Sequence, residues 1–191
     1  MPEPVRREAA PPAGEEVALG AVQSALAERP GVLNAATGLS HFGEHSIGWL
    51  AVALLGAVLH PRRRRDWLVA GVGAFAAHAA AVLIKRVVRR PRPDHPAIAV
   101  HVGTPSRLSF PSAHATSTTA AAVLMGRATG LPRPAVLVPP MALSRMVLGV
   151  HYPSDVAAGV VVGAAVADGV ARLASRLDRR NLDRRREGAA Q

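Results

Sequence analysis

The sequence predicts an all-α integral membrane helix bundle of about five transmembrane helices, preceded by an N-terminal amphipathic helix. Two observations carry this. The chain is 49% hydrophobic yet only 3% aromatic, whereas a soluble core of 191 residues ordinarily fills its volume with aromatic side chains. Its apolar content is Ala, Val, Leu and Gly, the small residues that let helix backbones approach closely in a bilayer. Runs such as 47–59 and 156–166 also have no polar face. A helix apolar all round is buried or lipid-facing, and five of them in so short a chain leave little protein to cover them.

The elements follow in order. Residues 1–16, rich in Pro, Glu and Ala without period, read as a disordered tail. An amphipathic helix is expected over 17–29, stopped by Pro30 and Gly31. Apolar segments then fall at 46–60, 67–88, 113–130, 134–150 and 154–175, several of them shorter than the roughly 20 residues of a perpendicular span. Residues 17–175 form one membrane domain, and 176–191 a basic C-terminal tail suited to lipid headgroups.

Net charge is +10, which points to anionic partners: membrane lipids or a phosphorylated substrate. Nucleic acid is disfavoured, because the stacking aromatics of single-strand binders are missing. The chain has no cysteine, which excludes disulfides and thiolate metal sites. With five alternating spans, loops 61–66 and 127–133 and the C-terminal tail share one side, which carries thirteen arginines. The positive-inside rule places that side in the cytoplasm. The opposite, non-cytoplasmic face of the cell membrane then receives loops 89–112 and 151–153.

Three clusters fall on that same face. Lys85 is followed by Arg92 and Pro93 at the end of the second span. Pro111, Ser112, Ala113 and His114 open the third. Ser144 and Arg145, near the end of the fourth, precede His151 and Asp155 at the turn into the fifth. Each is bland alone: a snorkelling anchor, a helix cap and a local ion pair. Together they are not, because ionisable residues at span ends are costly and mark function. His151 and Asp155 are four apart, one face of a helical turn. The carboxylate can fix the imidazole tautomer and leave the other nitrogen free to attack. Lys85, Arg92 and Arg145 supply the positive charge a transferring phosphoryl group needs, so no metal or other cofactor is called for. The N–H groups around Ser112 and Ala113 at a helix N-terminus form an oxyanion cradle, and His114 is free to protonate a departing oxygen.

This three-part pattern resembles the signature of the type-2 phosphatidic-acid phosphatases, a family that includes lipid phosphate phosphatases and vanadium haloperoxidases. The motifs span 85–155, and the helical frame extends the likeness to about residue 175. One position departs, Ala113 standing where the family usually has Gly. The resemblance implies attack by His151 to give a phosphohistidine, with Asp155 orienting it and His114 protonating the leaving group. It also implies phosphate binding by Lys85, Arg92, Ser112, Ala113 and Arg145. Stretches 39–46, 110–119 and 143–155 further resemble small actinobacterial members that act on a decaprenyl-linked phosphoribose in cell-wall arabinan precursor synthesis. On that reading His41, Glu44 and His45, with Asp94 and His101, are candidates for touching the substrate headgroup. Three alternatives stay open: a phosphatase for a prenyl diphosphate or phosphatidyl lipid, a haloperoxidase-like enzyme holding vanadate, and a non-catalytic protein that binds anionic lipids. His60 and His78 read as interfacial and packed helix residues, and oligomeric state is not legible.

Overall fold

The computed structural model describes residues 11–131 and 133–189, without the side chains of 133–135 and 188–189. Within them lie seven α-helices: α1 (Glu15–Leu26), α2 (Val32–Gly43), α3 (Ile47–Leu59), α4 (Arg64–Val88), α5 (Ala113–Thr129), α6 (Arg133–Val147) and α7 (Pro153–Ala189). The last five are the expected apolar segments with their ends adjusted. Most of the supposed tail, residues 1–10, lies outside the described residues, but Glu15 and Glu16 belong to α1.

Two differences from the sequence reading matter. Helix α2 was not anticipated, because its Asn34, Thr37, Ser40 and two glycines, Gly38 and Gly43, dilute any apolar period. It precedes a short 3₁₀ turn, Glu44–Ser46, in which His45 (φ 49°) and Ser46 (φ 64°) break the helix before α3. The apolar stretch Val32–Leu59 is therefore a helix broken at that turn rather than a continuous one. In addition, α7 runs 37 residues, so the basic run continues a helix. Arg, Leu and Asp are adequate helix formers, and pairs such as Arg172 Nε to Asp168 Oδ2, 2.6 Å, support it.

Three stretches are long and apolar enough to cross a membrane: Val32–Leu59, Pro61–Val88 and Pro153–Glu187. Helix α5 is shorter and more polar, yet it lies at the centre of the bundle, in contact with α3, α4, α6 and α7. Its position explains its composition. Thr116, Ser117, Thr118 and Thr119 are all buried, and several are satisfied inside the protein. Thr116 Oγ1 donates to the Ser112 carbonyl at 2.8 Å, and Thr118 Oγ1 accepts from Trp49 Nε1 at 3.0 Å.

The core is built of small residues around two tryptophans. Ala53, Ala57, Ala70, Ala74, Ala77, Ala120 and Ala121 pack with Trp49 and Trp67. Helices α4 and α5 touch where a Cβ on Gly73 would lie 2.1 Å from Leu124 Cδ1, and α7 meets α5 where one on Gly163 would lie 2.3 Å from the Thr116 carbonyl oxygen. Larger apolar side chains point outward instead, among them Leu54, Leu55, Val72, Phe75, Leu83 and Val161. Small inside and large outside is the pattern of a bundle solvated by lipid.

Helices α1 and α2 pack against α6 at one end of the bundle. Gln23 of α1 is the clamp. Its Nε2 donates to the carbonyls of Ala99 (2.6 Å) and Val147 (3.0 Å), and its Oε1 accepts from Ala99 N at 3.1 Å. Loop 89–112 is thereby tied to the end of α6.

Candidate active site

Helix ends deliver the site. Helix α4 carries Lys85 in its last turn, with Arg89 in the left-handed conformation turning the chain into loop 89–112. Ser112 caps α5, its Oγ accepting from Ala115 N, so His114 stands in that helix's first turn. Arg145 sits two residues before the end of α6, and Asp155 opens α7. A cavity of about 430 Å³ lies among these ends, lined by Lys85, Arg92, Ala113, His114, Arg145 and His151, and also by Ser40, His41, Glu44 and His45 from the end of α2 and the turn after it. Every predicted catalytic residue and phosphate ligand lines this cavity except Ser112 and Asp155, which are fully buried directly behind it.

His151 is buried. Its Nε2 faces Arg92 Nη1 at 3.2 Å. A guanidinium can only donate, so Nε2 is the acceptor and the proton sits on Nδ1. That Nδ1 faces Asp155 Oδ2 at 3.5 Å, slightly beyond a hydrogen bond, as is common in catalytic pairs before substrate arrives. Burial first, and then the charges of Arg92, Lys85 and Arg145, hold His151 well below the ordinary histidine range. It is therefore neutral at pH 7, as a nucleophile must be.

Asp155 is fixed from several sides. Oδ2 accepts from Tyr152 N at 2.8 Å, and Oδ1 from Arg90 Nη1 at 3.0 Å and Ser109 Oγ at 3.5 Å. Arg90 is a residue that sequence reasoning missed. It donates to Ser154 Oγ (2.6 Å) and to Glu15 Oε2 (2.6 Å), and stacks 4.1 Å over the Tyr152 ring. Glu15, assigned above to a tail, also accepts from Ser154 N at 2.7 Å and Ser154 Oγ at 2.9 Å. No local signal could have found this pairing across 75 residues.

The cations are held as an arc. Lys85 Nζ donates to the Leu108 (3.0 Å) and Ser109 (2.7 Å) carbonyls. Arg92 donates to the carbonyls of Ser106 (2.8 Å) and Val150 (2.6 Å), and burial brings its guanidinium down to about 10, with Asp155 opposing. Arg145 is 2% exposed and donates from Nη1 to Ser40 Oγ at 3.1 Å. Its Nε and Nη2 have no hydrogen-bond partner. Unpaired buried guanidinium donors are expensive, and two of them on one fork match the geometry of an oxyanion.

Two expectations need correction. The N–H of Ser112 is not free for an oxyanion, since it donates to the Asp155 carbonyl at 2.9 Å. The cradle reduces to the first-turn N–H groups of Ala113 and His114, which have no intrahelical acceptor. His78 is not merely packed: it lines the cavity, its ring 5.8 Å from that of His45. Ala113 lies outside the left-handed region, so the backbone does not require glycine there. His114 Nε2 is engaged with the Ser40 carbonyl at 2.9 Å, which makes Nε2 the donor and leaves Nδ1 for other partners. His41 and His45 flank Glu44 at 3.9 and 4.0 Å on the exposed rim of the cavity, whereas Asp94 and His101 lie off its wall.

Known proteins resemble this chain in sequence and in fold. The chain is 77% identical over 155 residues to the decaprenylphosphoryl-5-phosphoribose phosphatase of Mycobacterium tuberculosis, covering 81% of this chain and 88% of that one. It is 72% identical over 148 residues to the protein of the same name in Mycolicibacterium smegmatis, covering 78% and 82%. Its fold matches the crystal structure of a transmembrane PAP2-type phosphatidylglycerolphosphate phosphatase from Bacillus subtilis, with a TM-score of 0.64 at 21% identity over 84% of this chain and 86% of the other. It also matches Aquifex aeolicus LpxE, with a TM-score of 0.59 at 18% identity over 82% and 93%. With the family's pattern matched across residues 66–179, and all three motif clusters gathered on one cavity, this membrane helix bundle belongs to the PAP2 superfamily.

Proposed function

We propose that the chain is a membrane phosphatase that hydrolyses a lipid-linked phosphomonoester through a phosphohistidine, with decaprenylphosphoryl-5-phosphoribose as substrate and decaprenylphosphoryl-ribose as product. One observation carries the chemistry: a neutral, buried His151 backed by Asp155 and facing an arc of Arg92, Arg145 and Lys85. The relatives' names carry the substrate.

The steps follow from the atoms present. The terminal phosphate takes the two unpaired donors of Arg145 and displaces Arg92 Nη1 from His151 Nε2, so that Nε2 faces phosphorus. Attack forms the N–P bond as the P–O bond to the sugar breaks, and the imidazolium proton on Nδ1 is held by Asp155. The leaving oxygen takes a proton from His114. His114 must be an imidazolium when it gives that proton, because a neutral ring that lost its one N–H would be left as an imidazolate; Nε2 keeps its hydrogen bond to the Ser40 carbonyl while Nδ1 delivers the proton. Water then attacks the phosphohistidine, His114 takes its proton, and inorganic phosphate and free His151 are restored. Lys85, Arg92 and the N–H groups of Ala113 and His114 stabilise the charge on the equatorial oxygens.

The rim of His41, Glu44 and His45 supports the sugar substrate, since polar groups that pair hydroxyls reject lipids lacking them. By the positive-inside rule the site faces the non-cytoplasmic side of the plasma membrane, with the arginines of residues 62–65 and of the end of α7 inside. The test is twofold. His151→Ala should abolish phosphate release and Asp155→Asn should lose most of it, and label from a phosphate-labelled substrate should be trapped on His151. Across purified lipid phosphates, kcat/KM should be highest for the phosphoribosyl lipid. A fully active His151→Ala protein would refute the mechanism, and phosphatidic acid or a prenyl diphosphate matching the sugar lipid would refute the substrate.

A further inference from the structure

The PAP2 pattern begins at residue 66, yet the contact that holds the carboxylate behind the nucleophile begins at residue 15. We infer that Glu15 and Arg90 are positioning residues for catalysis, an ion pair from the N-terminal helix that aims Asp155 at His151 and sets the charge felt by the imidazole.

The geometry has little freedom. Asp155 Oδ2 can face His151 Nδ1 only if the carboxylate plane is fixed, and Arg90 fixes it by holding Oδ1 at 3.0 Å. Arg90 in turn has nowhere else to go. Glu15 holds Nη2 at 2.6 Å, Ser154 holds Nη1 at 2.6 Å, and the Tyr152 ring covers one face at 4.1 Å. Glu15 binds the same Ser154 through both N–H and Oγ, so the first residue of α1 clips Arg90 to the first turn of α7. Against the cost of burial, the hydrogen bond to Glu15 and the charges of Asp155 and Glu15 hold Arg90 above the usual arginine range. It remains an ion throughout the working pH.

Charge gives the pair a second role. His151 is faced by Lys85 of α4, Arg92 of loop 89–112, His114 of α5, Arg145 of α6 and Asp155 of α7, with Arg90 and then Glu15, Glu16 and Tyr152 behind the carboxylate. The line Glu15, Arg90, Asp155 carries one net negative charge. Neutralising Glu15 makes that line neutral, which disfavours the imidazolium. Neutralising Arg90 makes it doubly negative, which favours the imidazolium. The two substitutions therefore push the nucleophile in opposite directions, which a generic loss of packing would not do.

The inference rests on His151 and Asp155 acting as proposed above, so His151→Ala is run beside it. The full-length protein in detergent is assayed for phosphate release from decaprenylphosphoryl-5-phosphoribose across pH. Glu15→Gln should lower kcat about tenfold and move the acid limb of kcat/KM down by roughly half a pH unit. Arg90→Gln should lower kcat by at least as much and move that limb up. Glu15→Asp and Arg90→Lys keep the charges, so the limb should stay in place while kcat falls for lack of reach and of the second fork. Limbs that do not move, or that move together, overturn the inference, as does an unchanged kcat in Glu15→Gln. Loss of folded protein with an unaltered pH profile in the residual enzyme also overturns it, and assigns the pair to stability alone. If His151→Ala remains active, the catalytic reading itself falls.

Discussion

Adding one methyl group to Gly43 should disable the site while leaving the bundle intact. Gly43 ends α2 with φ −82° and ψ −6°, an ordinary helical conformation, so alanine meets no backbone strain. Helix propensity even favours it, by about 0.5–1 kcal/mol. The obstacle is the packing against His114 and Met141, where a Cβ would stand 2.6 Å from His114 Cδ2, 3.4 Å from His114 Nε2 and 3.1 Å from Met141 Cε. The methionine end can swing aside. The imidazole cannot do so freely, because Nε2 is bound to the Ser40 carbonyl at 2.9 Å on the same helix turn. Restoring van der Waals contact at about 3.4 Å moves the ring by roughly 0.8 Å. A displacement of about 1 Å in a catalytic group costs on the order of 10²-fold in rate, about 2.7 kcal/mol of barrier. The assay is kcat for phosphate release by purified Gly43→Ala, beside its thermal unfolding midpoint in the same detergent. The expected result is a near-normal midpoint with kcat down between tenfold and a hundredfold. A kcat within twofold of the parent would show that His114 has slack the packing denies, and the steric argument would be wrong.

Arg145→Lys should reduce kcat/KM about a hundredfold with little change in folding, since an ammonium cannot present the planar fork whose Nε and Nη2 stand unpaired; recovery of most activity would show that charge alone suffices. Orientation can be read because the chain has no cysteine and both Arg64 and Ala97 are exposed. Single cysteines at those positions, probed in intact cells with an impermeant maleimide, should label at 97 and not at 64, and the reverse pattern would invert the proposed topology.

Much of the bundle was legible because its signals are local. Apolar runs marked α3 to α6 and the start of α7 within a few residues, and the motif clusters landed on one face once the spans alternated. The parts that escaped were those whose reasons are not local. Helix α2 was hidden because its polar residues broke the apolar pattern, and one of them serves the site: Ser40 accepts from Arg145 with its hydroxyl and engages His114 with its carbonyl. The end of α7 was placed too early, since the apolar signal stops near residue 175 whereas helix propensity does not. The oxyanion cradle was assigned one N–H too many, because the Asp155 carbonyl that occupies Ser112 N is brought there only by tertiary packing. Glu15 and Arg90 look like an acidic tail and one more basic residue in a basic loop. Their meaning lies entirely in what they touch.

The contact between Glu15 and Ser154 also says something about biosynthesis. It closes a loop of 139 residues, and every helix from α2 to α6 lies within that loop. During translation α1 is made before the other described helices, but its donor, Ser154, emerges only with the last of them. The catalytic corner therefore cannot assemble until α7 is in place, and contacts of such long sequence separation form late and slowly. Through the insertion of all the intervening helices, α1 must wait on the face where α7 will begin, its acidic end unpaired. A bulky fusion ahead of residue 15 would intrude on that wait and on the docking that ends it, so a purification handle belongs beyond the end of α7, at the far end of the molecule from the chemistry.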